Sequence, residues 1–226
     1  MSLILSIETA TAVCSVALHH NGQLIGTQTL YIEKSHSGLL APVIDSLVKY
    51  CGFTLNDLSA VAVSEGPGSY TGLRIGVSTA KGLCFALDIP LVAVNTLEAM
   101  AFGVNKYNRS EALLCPMIDA RRMEVYCLIA THNMEIVEHT KPEIIDTTSF
   151  ENFLLKSKVL FFGNGAAKCE EVITSENALF IDNVYPDASN VGFIAYRKYQ
   201  EQKFEDVAYF EPFYLKEFRI TKPKAK

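Results

Sequence analysis

Ser64-Glu65-Gly66-Pro67-Gly68-Ser69-Tyr70-Thr71-Gly72-Leu73-Arg74-Ile75-Gly76 follows directly on the apolar run Ala60-Val61-Ala62-Val63. Four glycines and one proline fall within the eleven residues from Gly66 to Gly76. Apolar residues then recur at helical spacing, at Val77, Ala80, Leu83, Cys84 and Leu87. The pattern predicts a strand over Ala60–Val63, a turn that only Gly and Pro tolerate, and a helix over Leu73–Leu87. A helix that begins under a glycine-rich turn presents unpaired N–H groups and the positive end of its dipole, so it can hold an anion. A tight strand-to-helix turn explains the same glycines without a ligand. No Gly-Lys-Ser/Thr is present, so the stretch is not a P-loop, and its glycines are wrongly spaced for a dinucleotide fingerprint.

Upstream, strands are predicted over Leu3–Glu8, Val13–His19 and Leu24–Tyr31. Asn21-Gly22 joins the latter two, because both central residues of a type I′ turn need positive φ. A helix is expected from about His36 to Tyr50, capped by Ser35 or Ser37, with a short helical start at Thr54–Asp57. Downstream come a strand over Leu91–Val94 and a helix from near Thr96. The polar stretch from Asn105 to Glu111 separates a second series. It comprises strands near Ala112–Ile118, Glu124–Ala130 and Ile136–His139, a helix near Ser149–Leu155, and a strand at Val159–Phe162. The turn Gly163-Asn164-Gly165, helices near Ala166–Ile173 and Ser189–Gln202, and the segment Pro212–Leu215 complete it. Both series open with consecutive strands and then alternate helix with strand. The expectation is an α/β protein of two similar halves, 1–104 and 105–226, around a central cleft, with a return of the last helix to the first half left open.

The chain has 226 residues, 49% of them hydrophobic and 20% charged, which is the composition of a compact protein rather than a disordered one. Its formal charge of −5 argues against a broad, non-specific nucleic-acid surface. The one basic cluster is Lys216, Arg219, Lys222, Lys224 and Lys226, which reads as a solvated end. Six cysteines (Cys14, Cys51, Cys84, Cys115, Cys127, Cys169) lie scattered, with no C-x-x-C pair, so neither a zinc nor a disulfide framework is indicated. With no membrane-length apolar run and no leader pattern, a cytoplasmic location is expected.

A hairpin-led α/β half used twice is the plan of the actin, sugar-kinase and heat-shock ATPase superfamily. The segments Ile7-Glu8-Thr9-Ala10-Thr11, Gly66 to Gly76, Ala80-Lys81-Gly82-Leu83, Asn95-Thr96-Leu97-Glu98-Ala99, Asp119-Ala120-Arg121-Arg122-Met123-Glu124-Val125-Tyr126 and Tyr214-Leu215-Lys216 occur in order. Together they resemble the bacterial TsaB (YeaZ) family across nearly the whole chain. That resemblance implies a part in making threonylcarbamoyladenosine at the tRNA adenosine next to the anticodon. It implies a non-catalytic subunit that pairs through its N-terminal half with the related catalytic protein TsaD, and with TsaE, a small P-loop ATPase. Self-association as a homodimer through the same face is expected when the chain is alone, and tRNA is met only through the complex. The implied partner surface comprises Leu39, Leu40, Val43 and Leu47 on the first helix and Gly72, Arg74, Gly76, Ala80 and Leu83 on the second. By periodicity alone, the Gly72-Gly76-Ala80 stripe equally suits packing inside the chain.

In TsaD-like proteins the stretch after the Leu91–Val94 strand reads roughly V-N-H-x-E-G-H, two histidines at i and i+4 that reach one metal ion. Here it is Val94-Asn95-Thr96-Leu97-Glu98-Ala99-Met100. Thr96 then reads as a helix cap and Met100 as core, so no metal site and no catalytic residue are expected. Glu8, Thr9, Thr11, Asp119, Gly163 and Gly165 would outline a vestigial nucleotide cleft. No cofactor is expected, while weak nucleotide binding stays open. His36 reads as a capping or surface group. The competing reading is a stand-alone small-molecule kinase using Glu8, Glu65 or Asp119, or a glycoprotease-like peptidase using Ser69. A direct tRNA-binding module is a third reading, against which the acidic balance weighs.

Overall fold

The computed structural model describes residues 2–32 and 36–216. Ser35 and the basic residues Arg219, Lys222, Lys224 and Lys226 lie outside the described residues. The first half contains strands β1 (Leu3–Glu8), β2 (Val13–His20) and β3 (Gln23–Tyr31), helix α1 (His36–Tyr50), β4 (Ala60–Gly66), helix α2 (Tyr70–Leu87), β5 (Leu91–Asn95) and helix α3 (Thr96–Asn105). The second half contains β6 (Leu113–Asp119), β7 (Glu124–Ala130), β8 (Ile136–Ile144), the short helix α4 (Glu151–Leu154), β9 (Val159–Phe162), the short helix α5 (Ala167–Glu170), β10 (Ala178–Ile181) and helix α6 (Ala188–Gln200).

The strands form two five-stranded sheets, ordered β3-β2-β1-β4-β5 and β10-β9-β6-β7-β8. Read from the other edge, the second sheet repeats the first strand for strand. In each, the antiparallel hairpin strands sit on one side and the parallel strands on the other. The β2–β3 turn places Asn21 at φ 50° and Gly22 at φ 79°, the mirror-image turn that the Asn-Gly pair predicts. Between the halves the helices are exchanged. Leu97, Met100 and Ala101 of α3 pack with Leu114, Ile118 and Phe162 of the second sheet. Val191 and Ala195 of α6 pack with Ile4, Ala62 and Val92 of the first.

Several local expectations need correction. Helix α2 begins at Tyr70, three residues before Leu73, because the Ser69 hydroxyl caps the Gly72 amide at 3.3 Å. Thr96 is not the cap of α3. The Asn95 side chain takes that role, accepting from Leu97 N (2.9 Å) and Glu98 N (3.2 Å). His36 is buried rather than exposed, with Nε2 3.1 Å from the Val13 carbonyl. Ser37 is the second residue of α1 instead of its cap. The helix expected over Ala166–Ile173 is one turn long, and β8 runs on to Ile144 through Pro142, which an edge strand tolerates. Strand β10 was not expected: Ala178–Ile181 is too short to show a period and holds its place by parallel pairing with β9.

Candidate functional site

The glycine-rich turn and the β1–β2 loop interlock. Ser69 N donates to the Ala10 carbonyl (2.6 Å) and the Thr9 hydroxyl donates to the Gly72 carbonyl (2.8 Å). A Cβ on Gly68 would strike Ala10, on Gly72 the Thr9 carbonyl, and on Gly76 the Thr9 hydroxyl. Gly72 and Gly76 are therefore buried against the protein's own first loop, and Ala80 is buried in the hydrophobic core of the first half. They are not the surface stripe expected from the resemblance, because the loop occupies the space that the glycines' missing side chains leave. The capping role of Ser69 and its amide bond to Ala10 also fill the turn with the chain's own atoms. Gly66, at φ 120°, lies against the Phe213 carbonyl, so a side chain is excluded there by both conformation and space.

Glu8 lies beneath this loop with no exposed surface. One carboxylate oxygen accepts from the Ala10 amide at 2.5 Å, and the other has no hydrogen-bond partner. Burial pushes its pKa up to about 7, against the lowering influence of the Ala10 amide and the neighbouring Ser64 hydroxyl. Thr9 is likewise buried. Of the expected cleft residues, Thr11 and Asp119 do line one cavity between the halves, about 1300 Å³ in volume. Asp119 is held there by an ion pair with Lys168 and by hydrogen bonds from Arg121 N (3.0 Å) and to Asn164, whose side-chain oxygen accepts from Asp119 N (3.1 Å). Gly163, at φ 101°, and Gly165 lie beneath that wall, close to Met100 and Ile118 respectively. They serve a close backbone approach.

Two segments that the sequence marks as motifs, without indicating where they lie, meet at this cavity. The segment from Phe213 to Lys216 bridges the halves: Phe213 N donates to the Glu65 carbonyl (2.7 Å), Tyr214 packs on Tyr70 with centroids 4.8 Å apart, and Lys216 pairs with Glu124 (2.5 Å). At the β6–β7 tip, Arg121 (φ 68°) and Arg122 (φ 53°) both occupy the left-handed region. Only the tertiary arrangement brings that tip over the cleft.

The outer face of the first half is built by α1 and α2. Leu40, Val43 and Leu47 are buried in the core beneath α1 and cannot contact a partner directly, which corrects their expected place on the surface. Leu39 and Leu83 are half-buried and Arg74 is exposed. The outward residues include Gly38, Ala41 and Pro42 on α1 and Ser78, Gly82 and Phe85 on α2, with Phe85 84% exposed. A Cβ built on Gly38 or Gly82 meets nothing within 4 Å. This face combines small residues with the exposed ring of Phe85, and Tyr50 at the end of α1 is 86% exposed.

At the two positions that the resemblance sets against a histidine pair, Thr96 and Met100 are both buried, and Met100 belongs to the apolar core with Leu97 and Leu114. These residues do not fit a metal ion. No group of three or more His, Cys, Asp or Glu placed to hold one occurs among the described residues. All six cysteines are free thiols, and among the described residues no helix is long and apolar enough to cross a membrane.

Sequence comparison gives this geometry a context. The sequence model of a family described as TsaD, tRNA N6-adenosine threonylcarbamoyltransferase, matches residues 30–222. A Bacillus subtilis protein named tRNA threonylcarbamoyladenosine biosynthesis protein TsaB is 33% identical, covering 99% of this chain and 96% of that one. Its Escherichia coli namesake is 31% identical and covers 94% of each. Among solved structures, YeaZ from Pseudomonas aeruginosa superposes with a TM-score of 0.83 at 25% identity, covering 95% of this chain and all of that one. An activator of 2-hydroxyisocaproyl-CoA dehydratase from Clostridium difficile shares the fold alone, with a TM-score of 0.53 at 11% identity over 89% of this chain and 97% of that one.

Proposed function

Because this chain belongs to the TsaB (YeaZ) family of tRNA threonylcarbamoyladenosine biosynthesis proteins, we propose that within that pathway it is a non-catalytic subunit that supports a TsaD-like catalytic partner. The observation that carries this reading is that the polar groups of the glycine-rich turn and of Glu8 are directed at the chain's own β1–β2 loop. The Ala10 carbonyl and the Ser69 hydroxyl accept from the Ser69 and Gly72 amides at the start of α2. Glu8 satisfies its own loop from a fully buried position, and Met100 packs in the core at a position where a ligand would be needed. Groups that would have to meet substrate are engaged in holding the fold.

The partner docks on the outer face of α1 and α2. Gly38, Ala41, Ser78 and Gly82 let another helix approach closely, and Phe85 supplies the apolar anchor such a surface needs. A second copy of the chain takes the same face when the partner is absent, and a TsaE-like P-loop ATPase joins the assembled pair. Light scattering after gel filtration tests this. The chain mixed with the TsaD-like protein of the same organism is expected to run as a stable one-to-one species with neither protein alone sustaining modification of tRNA. Turnover by the isolated chain, or failure to associate, refutes the proposal.

A further inference from the structure

The tip of the β6–β7 hairpin carries two guanidinium groups that the fold itself does not use. Arg121 and Arg122 are exposed, and neither side chain forms an ion pair or hydrogen bond among the described residues. The neighbouring charges are already matched, since Lys168 pairs with Asp119 and Lys216 with Glu124. The two arginines are thus an uncompensated positive site in a chain whose formal charge is −5. Both line the inter-half cavity, as do Tyr70 and Tyr214, whose ring centroids are 4.8 Å apart. Arg74 leans over the Tyr70 ring, 5.4 Å from its centroid, and Tyr214 is 38% exposed beside it. Exposed guanidinium groups with aromatic rings nearby form the surface that a nucleic-acid backbone recognises.

The position of the pair distinguishes a polymer from a small ligand. The floor of the cavity is closed by the β1–β2 loop, which fills the space at Gly68 and bonds the Ser69 amide. A phosphate that had to sink to that floor finds the amide already engaged. Phosphates presented from outside, along a chain that passes over the rim, meet Arg121 and Arg122 first. We propose that this arginine tip directly contacts the phosphate backbone of the substrate tRNA in the assembled complex. The inference rests on the function proposed above and adds to it a contact made by this chain itself. Two guanidinium groups on an acidic protein are too few to hold RNA alone, so the contact operates only when the catalytic partner supplies the rest of the surface.

The test is tRNA binding by the full complex with the TsaD-like and P-loop ATPase subunits, titrated over a salt series. The Arg121→Gln/Arg122→Gln variant is expected to assemble normally and to lose about tenfold in tRNA affinity near 0.1 M salt, as two phosphate contacts are removed. The slope of log affinity against log salt should flatten by about 1.5. Arg121→Lys/Arg122→Lys should restore most of that slope, because charge rather than geometry dominates a phosphate contact. Unchanged affinity and slope in an assembled, folded Gln variant overturns the proposal while leaving the subunit function intact. Loss of ADP binding by the isolated chain, with tRNA binding by the complex unaltered, also overturns it and assigns the tip to a small nucleotide. If the wild-type complex neither forms nor binds tRNA, the function itself falls and the contact falls with it.

Discussion

Two buried titratable side chains pull the stability of this protein in opposite directions with pH. His19 has no exposed surface, lies edge-on to Phe193 of α6 at 4.8 Å, and leaves both ring nitrogens without a hydrogen-bond partner. Burial, reinforced by the Lys106 charge, lowers its pKa from 6.5 to about 4. The unfolded chain therefore binds the extra proton between those values, and stability is lost as pH falls through that range. Glu8 does the reverse. Its pKa rises from 4.5 to about 7, so its stabilising contribution is complete below pH 4.5 and is lost as pH rises to 7. Each shift corresponds to roughly 3 kcal/mol, so the wild type should show a nearly flat stability between about pH 4.5 and 6.5. Glu8→Gln should unmask the histidine, and its denaturant midpoint should climb steadily over that window. A midpoint that stays level in the variant would show that His19 is solvated or paired. Neither group is legible from sequence, since an isolated His or Glu in a strand pattern says nothing about what packs over it.

At the scale of elements, α2 carries two sets of glycines with opposite consequences. Gly76 faces Thr9 and Ile7, and Gly82 faces open space. Gly76→Leu should overpack the α2–β1 contact and destabilise the fold by about 1–3 kcal/mol or more. Gly82→Leu should leave the isolated protein as stable or more stable by about 0.5–1 kcal/mol, since it replaces an exposed helical glycine, yet it should abolish pairing with the TsaD-like partner by adding bulk to the docking face. Thermal melts and light scattering on the two variants check both arms. A Gly82→Leu protein that pairs with wild-type affinity would remove α2 from the interface. The helical period located α2 to within three residues and identified its small stripe. It could not say which small residues faced inward, because Gly72 and Gly76 owe their burial to a loop more than sixty residues earlier in the chain.

At the scale of the whole molecule, the exchanged helices α3 and α6 each pack into the core of the opposite half. Asp187 is the hinge of that exchange. Its carboxylate caps α6 by accepting from Ser189 N at 2.8 Å and accepts from the Thr29 hydroxyl of β3 at 2.8 Å. Lys198 further along α6 donates to the Ala93 carbonyl at 2.8 Å. Asp187→Ala removes a cap worth about 1 kcal/mol and a bond between the halves of similar size. It should lower the melting temperature by about 4–8 °C. Calorimetry should still show one transition, because α3 and α6 each complete the other half's core. Two resolved transitions would instead mark the halves as independently folding domains.

Local periodicity, turn chemistry and motif order are properties of neighbours along the chain, and from them follow the strand-and-helix order apart from β10, the duplicated plan, the Asn-Gly hairpin and the family. The sequence also placed Met100 in the core, where the structure finds it. Only the tertiary structure decided which faces are inside. Packing by the β1–β2 loop turned the glycine stripe inward, α6 closed over His19, and the Phe213–Lys216 segment joined the two cleft walls. These contacts link residues far apart in sequence, and such pairings leave no mark on the local pattern of either partner.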